Sequence, residues 1–356
     1  MWHHLSTGSG PKNESKRTSP GHTHTRLYTV NTVSTRNHLS DRENASAGAL
    51  IGTFVGDALG MPVEGWSHRH IQQEHGELDK MLDARRGRGT YTDDTQMMIA
   101  TAKSLVGCEG VNARHMADLF LSHFDPVRGY GQGTTMVFQK WRNDVPVENA
   151  SEQIFDGGSF GNGGSMRIAP VGVYYTDDPE QLADAVRTAC GITHAHPLGI
   201  GGSYLQARSV AKAFNTTPDV DPEADAWLTQ LQDDFPDDMD EDGVLLDKLE
   251  AAKRLLHEHS GPAPFSEVVD RLGCTSKAFE SVPAAIYAFL ANRDSFRDAV
   301  VYAVGIGGDT DTIGAMTGAI AGAYHGVTAV PDHWWNALEN GSDGRDNIVE
   351  LARKLV

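Results

Sequence analysis

The chain has 356 residues, of which 39% are hydrophobic and 22% charged, a composition typical of a globular protein with one large domain or two ordinary ones. Its formal net charge of −18 repels polyanions, which argues against nucleic acid and against an anionic membrane as partners. Its cysteines, Cys108, Cys190 and Cys274, are too few and too scattered for a disulfide framework or a zinc site. We therefore expect a cytoplasmic protein. We also expect a monomer.

The N-terminal segment, residues 1–44, is rich in Ser, Thr, Asn, His, Gly and Pro and shows no apolar periodicity. Such a segment cannot bury enough surface to fold alone, so we predict a disordered tail. It has no apolar core of a secretory signal, and we expect no window of the chain to be apolar for long enough to span a bilayer. The folded domain is predicted to cover residues 45–356.

Two helices with glycine at every fourth position are predicted near the two ends of this domain. The glycines are Gly48, Gly52, Gly56 and Gly60 in the first helix, and Gly314, Gly318 and Gly322 in the second. This spacing puts glycine along one face of a helix. Because glycine lowers helix propensity, close packing of the two helices is expected to compensate. The two ends of the chain would then meet, which predicts a single domain.

Between these helices the dominant period is also helical, so the predicted fold class is all-α. Helices are predicted over residues 95–106, 113–124, 133–142, 180–191, 202–214, 244–258, 264–272, 279–291 and 294–304. The best candidate for a strand is the stretch 167–175, although Pro170 argues against it. Residues 215–242 carry many carboxylates and are predicted to form an acidic surface insertion.

Two acidic pairs stand at the starts of predicted helices that are far apart in the sequence. One carboxylate at a helix start is favoured by the helix dipole, but two such starts brought together repel each other. Carboxylate and hydroxyl oxygens are ligands that Mg²⁺ accepts, and four carboxylates suit two metal ions better than one. We therefore predict a metal site, with two unrelated helix caps as the alternative. Its ligands would be Thr92, Asp93, Asp94, Asp309, Asp311 and Thr312.

Three glycine-rich loops, at residues 128–133, 156–165 and 199–202, offer backbone N–H groups that can approach a phosphate closely. Flexible turns are the alternative interpretation. Phe155 and Phe160 flank the second loop, where they could stack on a nucleobase or belong to the core.

Two further side chains could take part in chemistry near these loops. His194 could donate to a phosphate oxygen, or it could hold a loop as an ordinary buried histidine. Glu64 follows the first glycine-rich helix and would lie near the metal site if the two glycine faces pack together. It is a candidate general acid or base, or else a surface carboxylate.

Taken together, these motifs resemble the ADP-ribosylglycohydrolases, the family of dinitrogenase-reductase-activating glycohydrolase and the animal ADP-ribosylhydrolases. The motifs are GDALGMPVEG, YTDDTQM, RGYGQGTTMVF, GSFGNGGSMRIAPVG, THAHPLG, FESVPAAIYAFL and GGDTDTIGAMTGAIAGAYHG. The resemblance implies an all-helical domain with two Mg²⁺ ions, or Mn²⁺ in their place. The implied activity is the removal of ADP-ribose from ADP-ribosylated proteins or related ADP-ribose conjugates.

The resemblance also implies roles for individual residues. The family's metal ligands match the six oxygen-donor residues above, and its mobile glutamate, which gates substrate access, matches Glu64. Glu64, Asp93 and Asp94 are therefore the catalytic candidates. The implied substrate-binding residues are Gly129, Gly131, Ser159, Phe160, Gly161, Asn162 and His194. RGYGQG and FESVPAAIYAFL are most similar to the animal branch that acts on serine-linked ADP-ribose, poly(ADP-ribose) and O-acetyl-ADP-ribose.

Two other functions were weighed against this one. A non-catalytic ADP-ribose-binding protein would be expected to have gaps in the metal-ligand set, and this sequence has none. A phosphohydrolase is suggested by DTDT at residues 309–312, which resembles the DxDxT signature of aspartyl-phosphate phosphatases. That signature belongs after an early buried strand, whereas here a glycine-rich helical pattern follows it late in the chain.

Overall fold

The computed structural model describes residues 35–216 and 223–356, and these residues form helices and short 3₁₀ turns without a regular β-strand. The predicted all-α class is confirmed. Residues 1–34 of the predicted tail and 217–222 of the predicted insertion lie outside the described residues. The helices are α1 (Asp41–Gly60), α2 (His68–His75), α3 (Asp93–Cys108), α4 (Ala113–His123), α5 (Gln132–Arg142), α6 (Val147–Ala150), α7 (Ala169–Tyr174), α8 (Pro179–Gly191), α9 (Pro197–Phe214), α10 (Ala224–Asp233), α11 (Val244–Glu258), α12 (Phe265–Arg271), α13 (Ala278–Ala291), α14 (Phe296–Gly305), α15 (Thr310–His325), α16 (Asp332–Ala337) and α17 (Arg345–Arg353).

Every helix predicted from apolar periodicity is present. The largest difference is at α9, which begins at Pro197 rather than at residue 202. Proline suits the first turn of a helix because its missing N–H is not needed there. His196 caps this helix, since its Nδ1 accepts from the N–H of Leu198 at 3.1 Å.

Helices α1 and α15 pack antiparallel with their backbones in direct contact. If a Cβ atom were placed on each glycine of α1, it would lie about 2 Å from a carbonyl oxygen of α15, which is too close for any side chain. The distances are 2.0 Å for Gly48 to Gly322, 1.9 Å for Gly52 to Gly318, 1.9 Å for Gly56 to Gly314 and 2.2 Å for Gly60 to Thr310. The predicted packing of the two glycine faces is confirmed, and glycine is required on both sides of the contact.

The remaining helices surround this pair. Helices α3, α7 and α17 pack against α1, while α9, α13 and α14 pack against α15. Both central helices are buried along most of their length. Because α1 and α15 are antiparallel, the end of α1 lies beside the start of α15.

The predicted boundary between tail and domain at residues 44 and 45 is wrong, because α1 already begins at Asp41. Ser40 caps the helix: its Oγ accepts from the N–H of Glu43 at 3.3 Å, and its own N–H donates to the Glu43 carboxylate at 2.8 Å. This is the reciprocal Ser-x-x-Glu capping box. The signature is present in the sequence as SDRE, residues 40–43.

The strand candidate at residues 167–175 is not a strand. This stretch completes a 3₁₀ turn, Ser165–Arg167, and then forms α7. Pro170 lies in the first turn of α7, where it disrupts no hydrogen bond. Val171 and Val173 are buried, and a short apolar run of this kind cannot be assigned to strand or helix by periodicity alone.

The prediction of an acidic surface insertion is also wrong for α10. Trp227, Leu228 and Leu231 are fully buried, and the Trp227 ring packs edge-on against Phe289 of α13, with 5.4 Å between ring centroids. Asp233 of α10 is exposed, and Asp225 is partly buried, where it pairs with Lys253 and His257 of α11. The many carboxylates around it therefore concealed a short amphipathic helix.

One described helical stretch, Asp41–Val63, is long and apolar enough to cross a membrane by length and composition, contrary to our expectation. However, 89% of its apolar window is buried inside the protein. Burial of this extent is typical of a core helix, and here it follows from the contact between α1 and α15.

The contact between the glycine faces predicts a large loss of stability for Gly52→Ala. Its methyl group would collide with the carbonyl of Gly318 and push the two helices apart, at a cost of roughly 3 kcal/mol. The matched control is Gly191→Ala at the end of α8, where no atom lies within 4 Å of an added Cβ. Thermal denaturation should show a lower Tm for Gly52→Ala and an unchanged or higher Tm for Gly191→Ala. Equal effects would contradict the proposed steric origin.

Candidate functional site

A cavity of about 280 Å³ opens where the end of α1 meets the starts of α3 and α15. It brings together nearly all of the predicted site residues. Those that line it are Glu64, Thr92, Asp93, Asp94, Gly129, Gly131, Ser159, Gly161, Asn162, His194, Asp309, Asp311 and Thr312. Both acidic pairs thus lie at one cavity, as the shared site requires.

The start of α3 is held by a carboxylate that the sequence analysis did not single out. Asp57 of α1 is fully buried and accepts from the N–H of Thr92 at 3.0 Å, from the N–H of Thr95 at 3.1 Å and from its hydroxyl at 2.6 Å. Thr92 Oγ1 accepts from the N–H of Asp94 at 3.2 Å. Asp57 and Thr92 therefore satisfy the free N–H groups of the helix start. The carboxylates of Asp93 and Asp94 are left available for another partner.

The start of α15 is connected to the segment that carries Glu64. The N–H of Gly65 donates to the carbonyl of Gly308, and the N–H of Gly308 donates to the carbonyl of Trp66, both at 2.8 Å. Gly308 has a φ of +76°, a left-handed conformation that favours glycine. As a result, carboxylate oxygens of Glu64, Asp309 and Asp311 lie within 4.8 Å of one another.

Residues 274–278, before and at the start of α13, join this cluster to the glycine-rich loop 156–165. The carbonyl of Cys274 accepts from the N–H of Asp309 at 2.8 Å, and the carbonyl of Ser276 accepts from the N–H of Asn162 at 2.9 Å. The Asn162 side chain completes the connection, since its Nδ2 donates to the Asp309 carboxylate at 2.6 Å.

The buried carboxylates have strongly raised pKa values. Burial, and then the charge of Asp57, raises the pKa of Asp93 to about 7, and burial raises the pKa of Asp309 to about 6. The pKa values of Asp94 and Asp311 lie well above the ordinary range, through burial first and then repulsion from neighbouring aspartates. Such a cluster is unfavourable unless protons or a cation neutralise it.

The donor atoms of this cluster fit a hard divalent cation. Asp94 Oδ2 is buried and has no hydrogen-bond partner, although buried polar atoms are almost always paired. The surrounding donors are carboxylate and hydroxyl oxygens, without sulfur or imidazole nitrogen. This is the donor set that Mg²⁺ and Mn²⁺ accept.

His194 is a buried neutral ring at the wall of the cavity. Burial lowers its pKa to about 3, and its Nδ1 lies 2.8 Å from Thr193 Oγ1. The fully buried Arg167 donates to Thr193 Oγ1 at 2.7 Å and to the carbonyl of Gly163 at 2.9 Å. Arg167 thus joins the histidine segment to the glycine-rich loop. This positioning role of Arg167 was not predicted from the sequence.

The two phenylalanines of the second glycine-rich loop both face outward. Phe155 lines the cavity and is 47% exposed, so it does not belong to the core. Phe160 is 43% exposed and does not line the cavity, unlike the other predicted substrate-binding residues. Its ring lies against those of His196 and Phe279, with centroid distances of 5.6 and 5.8 Å.

Several cavity residues were not identified from the sequence: Arg85, Arg128, Thr134, Met166 and Ser276. Arg128 directly precedes the glycines of the first loop, and this position could have identified it as a cavity residue. Arg85 belongs to the stretch ARRGRG between α2 and α3, which shows no periodicity.

Residues 38–356 match the protein-family model described as ADP-ribosylglycohydrolase. The chain is 34% identical over 340 residues to ADP-ribosylhydrolase ARH3 of Bos taurus, and the aligned region covers 86% of this chain and 91% of the relative. It is also 34% identical over 344 residues to the Homo sapiens protein of the same name, with coverage of 86% and 92%. A solved structure described as an ADP-ribosylglycohydrolase-related protein complex matches with a TM-score of 0.67 and 27% identity, over 89% of this chain and 98% of that one.

The raised pKa of Asp93 predicts how its replacement by asparagine changes stability with pH. Between pH of about 4 and about 7 the folded protein binds more protons at Asp93 than the unfolded chain does, so this group lowers the free energy of unfolding as pH rises. In EDTA at pH 8, Asp93→Asn should therefore raise the free energy of unfolding by roughly 2 kcal/mol, and the Tm should rise with it. At pH 5 it should change the Tm much less.

The control for this prediction is Asp118→Asn on α4, because the Asp118 side chain is 56% exposed and pairs with Arg114 four residues before it. It should change the Tm little at either pH. A stabilisation by Asp93→Asn that is larger at pH 5 than at pH 8 would contradict the assigned cause.

Proposed function

Because the chain belongs to the ADP-ribosylglycohydrolase family and is a glycosidic-bond hydrolase, we propose that it removes ADP-ribose from modified protein side chains or related conjugates in a reaction that depends on Mg²⁺. The observation that carries the metal part of this proposal is the convergence of four aspartates, three of them buried, on one cavity, with a buried Asp94 oxygen that lacks a partner. The substrate part rests on the family relationship and on the cavity wall.

The residues that would hold two Mg²⁺ ions, or Mn²⁺ in their place, are Thr92, Asp93, Asp94, Asp309, Asp311 and Thr312. When bound, such ions supply charge stabilisation and lower the pKa of a coordinated water. The protein's own contribution is to fix the ligands. Asp57 and Asn162 do so through the hydrogen bonds that they make to the start of α3 and to Asp309.

Glu64 is the acidic residue best placed for proton transfer, with Asp93 and Asp94 as the other candidates. Its side chain is 45% exposed at the mouth of the cavity, and its carboxylate lies within 4.8 Å of carboxylate oxygens of Asp309 and Asp311. Cleavage of a glycosidic bond passes through an oxocarbenium-like state and is helped by a carboxyl group that gives or takes a proton. An accessible glutamate beside fixed aspartates provides such a group.

The glycine-lined wall of the cavity suits the ADP-ribose group. Gly129, Gly131 and Gly161 line it without side chains, so backbone groups can approach a diphosphate closely. Phe155, exposed at this wall, offers a surface on which a base can stack. Phe160 could add a second aromatic surface if its ring turned away from Phe279.

We further propose serine-linked ADP-ribose as the first substrate to test, because the chain is 34% identical to proteins named ADP-ribosylhydrolase ARH3 and its motifs are most similar to that animal branch. Poly(ADP-ribose) and O-acetyl-ADP-ribose are the next candidates. A cytoplasmic monomer is also part of the proposal, supported by three unpaired cysteines and by the acidic net charge.

Neither alternative function gains support from the geometry. Asp309 and Asp311 stand at the start of α15, and no strand precedes them within the described ranges, so the DxDxT phosphatase arrangement is not reproduced. A non-catalytic ADP-ribose-binding protein would bind ADP-ribose without releasing it from any conjugate. The following assay distinguishes such a protein from a hydrolase.

The proposed reaction predicts release of free ADP-ribose from at least one conjugate, and only with a divalent cation present. Serine-, arginine- and O-acetyl-linked conjugates and poly(ADP-ribose) would each be incubated with Mg²⁺ or with EDTA, and the products separated by chromatography. We expect release from the serine linkage, reduced roughly 100-fold or more by EDTA. Turnover that is equal with and without EDTA would reject the metal requirement, and binding without turnover on every linkage would favour the non-catalytic protein.

The cation site can be tested without turnover. Calorimetric titration with MgCl₂ should show binding to the wild-type protein and at least about tenfold weaker binding to Asp311→Asn, because one anionic ligand is lost. Asp118→Asn serves again as the control, with unchanged binding expected. Mg²⁺ binding of equal strength to both variants would place the ion elsewhere.

A further inference from the structure

The charge of the cavity presents a problem for the ligand proposed above. Five carboxylates line it: Glu64, Asp93, Asp94, Asp309 and Asp311. Two bound Mg²⁺ ions would offset most of this charge, yet the diphosphate of ADP-ribose still needs positively charged donors of its own. Among the described residues that line the cavity, two carry a permanent positive charge, Arg85 and Arg128.

Arg128 is already committed to the wall of the cavity. It is 8% exposed, its Nη1 donates to the carbonyl of Tyr91 at 2.7 Å and pairs with Glu339 at 2.8 Å. Its guanidinium also stacks on the Tyr91 ring, 3.6 Å from the centroid. Moving it to a ligand would break a buried ion pair, which is costly.

Arg85 is placed differently. Its side chain is 58% exposed, and its Nη2 lies 3.7 Å from the carboxylate of Glu64. This distance is too long for a hydrogen bond, and an ion pair so exposed to water contributes little stability. Arg85 can therefore exchange Glu64 for another anion at small cost.

The guanidinium of Arg85 also lies above the first glycine-rich loop. A Cβ atom placed on Gly129 would be 3.7 Å from Arg85 Nη1 and 3.7 Å from Asp93 Oδ1. Gly129 has a φ of +102°, so a larger residue would be strained there as well as close to both groups. The absence of a side chain keeps an open path from Arg85 to the interior of the cavity.

We propose that Arg85 binds the diphosphate of the ADP-ribose group, and that it gives up its contact with Glu64 when the ligand enters. The planar guanidinium presents paired N–H donors that match phosphate oxygens. The same exchange leaves the Glu64 carboxylate without its positive neighbour, next to Asp309 and Asp311. This inference rests on the proposed function, because it takes an ADP-ribose group as the ligand.

The test measures binding of free ADP-ribose by calorimetry in the presence of Mg²⁺. We expect Arg85→Gln to raise the Kd about 10- to 100-fold, the usual effect of losing a hydrogen bond to a charged group, and Arg85→Lys to recover part of the loss. The control is Arg88→Gln. It removes the same charge from the same segment, but Arg88 pairs with Asp83 and does not line the cavity. Its Kd should stay within about twofold of the wild-type value.

Two further readouts separate direct contact from a structural effect. In 1 M NaCl the difference in Kd between the wild-type protein and Arg85→Gln should shrink, because salt screens exposed charges. In a Glu64→Gln background, Arg85→Gln should cost more affinity than in the wild type, because Arg85 then has no competing carboxylate. Both arginine variants should melt at the wild-type temperature, since both side chains are exposed.

The outcomes distinguish this inference from the proposed function. If the wild-type protein binds ADP-ribose and Arg85→Gln binds it equally well, the role of Arg85 is rejected and the proposed function stands. The role of Arg85 is also rejected, and the proposed function stands, if Arg88→Gln weakens binding as much as Arg85→Gln does. If the wild-type protein does not bind ADP-ribose, the proposed function fails, and the role of Arg85 fails with it.

Discussion

The backbone contact between α1 and α15 is the constraint on which the site depends. Glycine on both faces lets the two helices approach until a single methyl group would collide with a carbonyl oxygen. Their antiparallel direction then fixes which ends meet, so the segment after α1 carries Glu64 to the start of α15. Asp57, on the same α1, holds the start of α3. One helix pair thus positions all three acidic segments of the cavity.

The cavity gathers charge that the fold alone does not neutralise. Asp93, Asp94, Asp309 and Asp311 are buried or nearly so, and their pKa values are raised by burial and mutual repulsion. The surrounding hydrogen bonds orient these carboxylates; the amide of Asn162, for example, donates to Asp309 from a neutral side chain. Stability is reduced in favour of a preorganised cluster of carboxylates, a common relation between stability and function at active sites.

Much of this arrangement could be predicted from the sequence because its signals are periodic or paired. The four-residue spacing of Gly48 to Gly60 specifies a helix face, and the repeated acidic pairs predict one shared site. Asp57 and Arg167 stand inside the motifs GDALGMPVEG and GSFGNGGSMRIAPVG, but their roles arise from residues distant in sequence, and Arg85 belongs to no motif. The outward orientation of Phe160 depends on loop conformation, and α10 was hidden by the acidic composition around Trp227. Composition and residue spacing carry no information about loop conformation or about contacts between residues distant in sequence.

Residues 274–278 have a consequence for how the chain can change in length. Their backbone contacts the start of α15 on one side and the loop containing Asn162 on the other, so they act as a spacer of fixed width across the cavity. An insertion or deletion here would displace both walls at once and alter which conjugates fit between them. Engineering of linkage preference would therefore begin with this spacer.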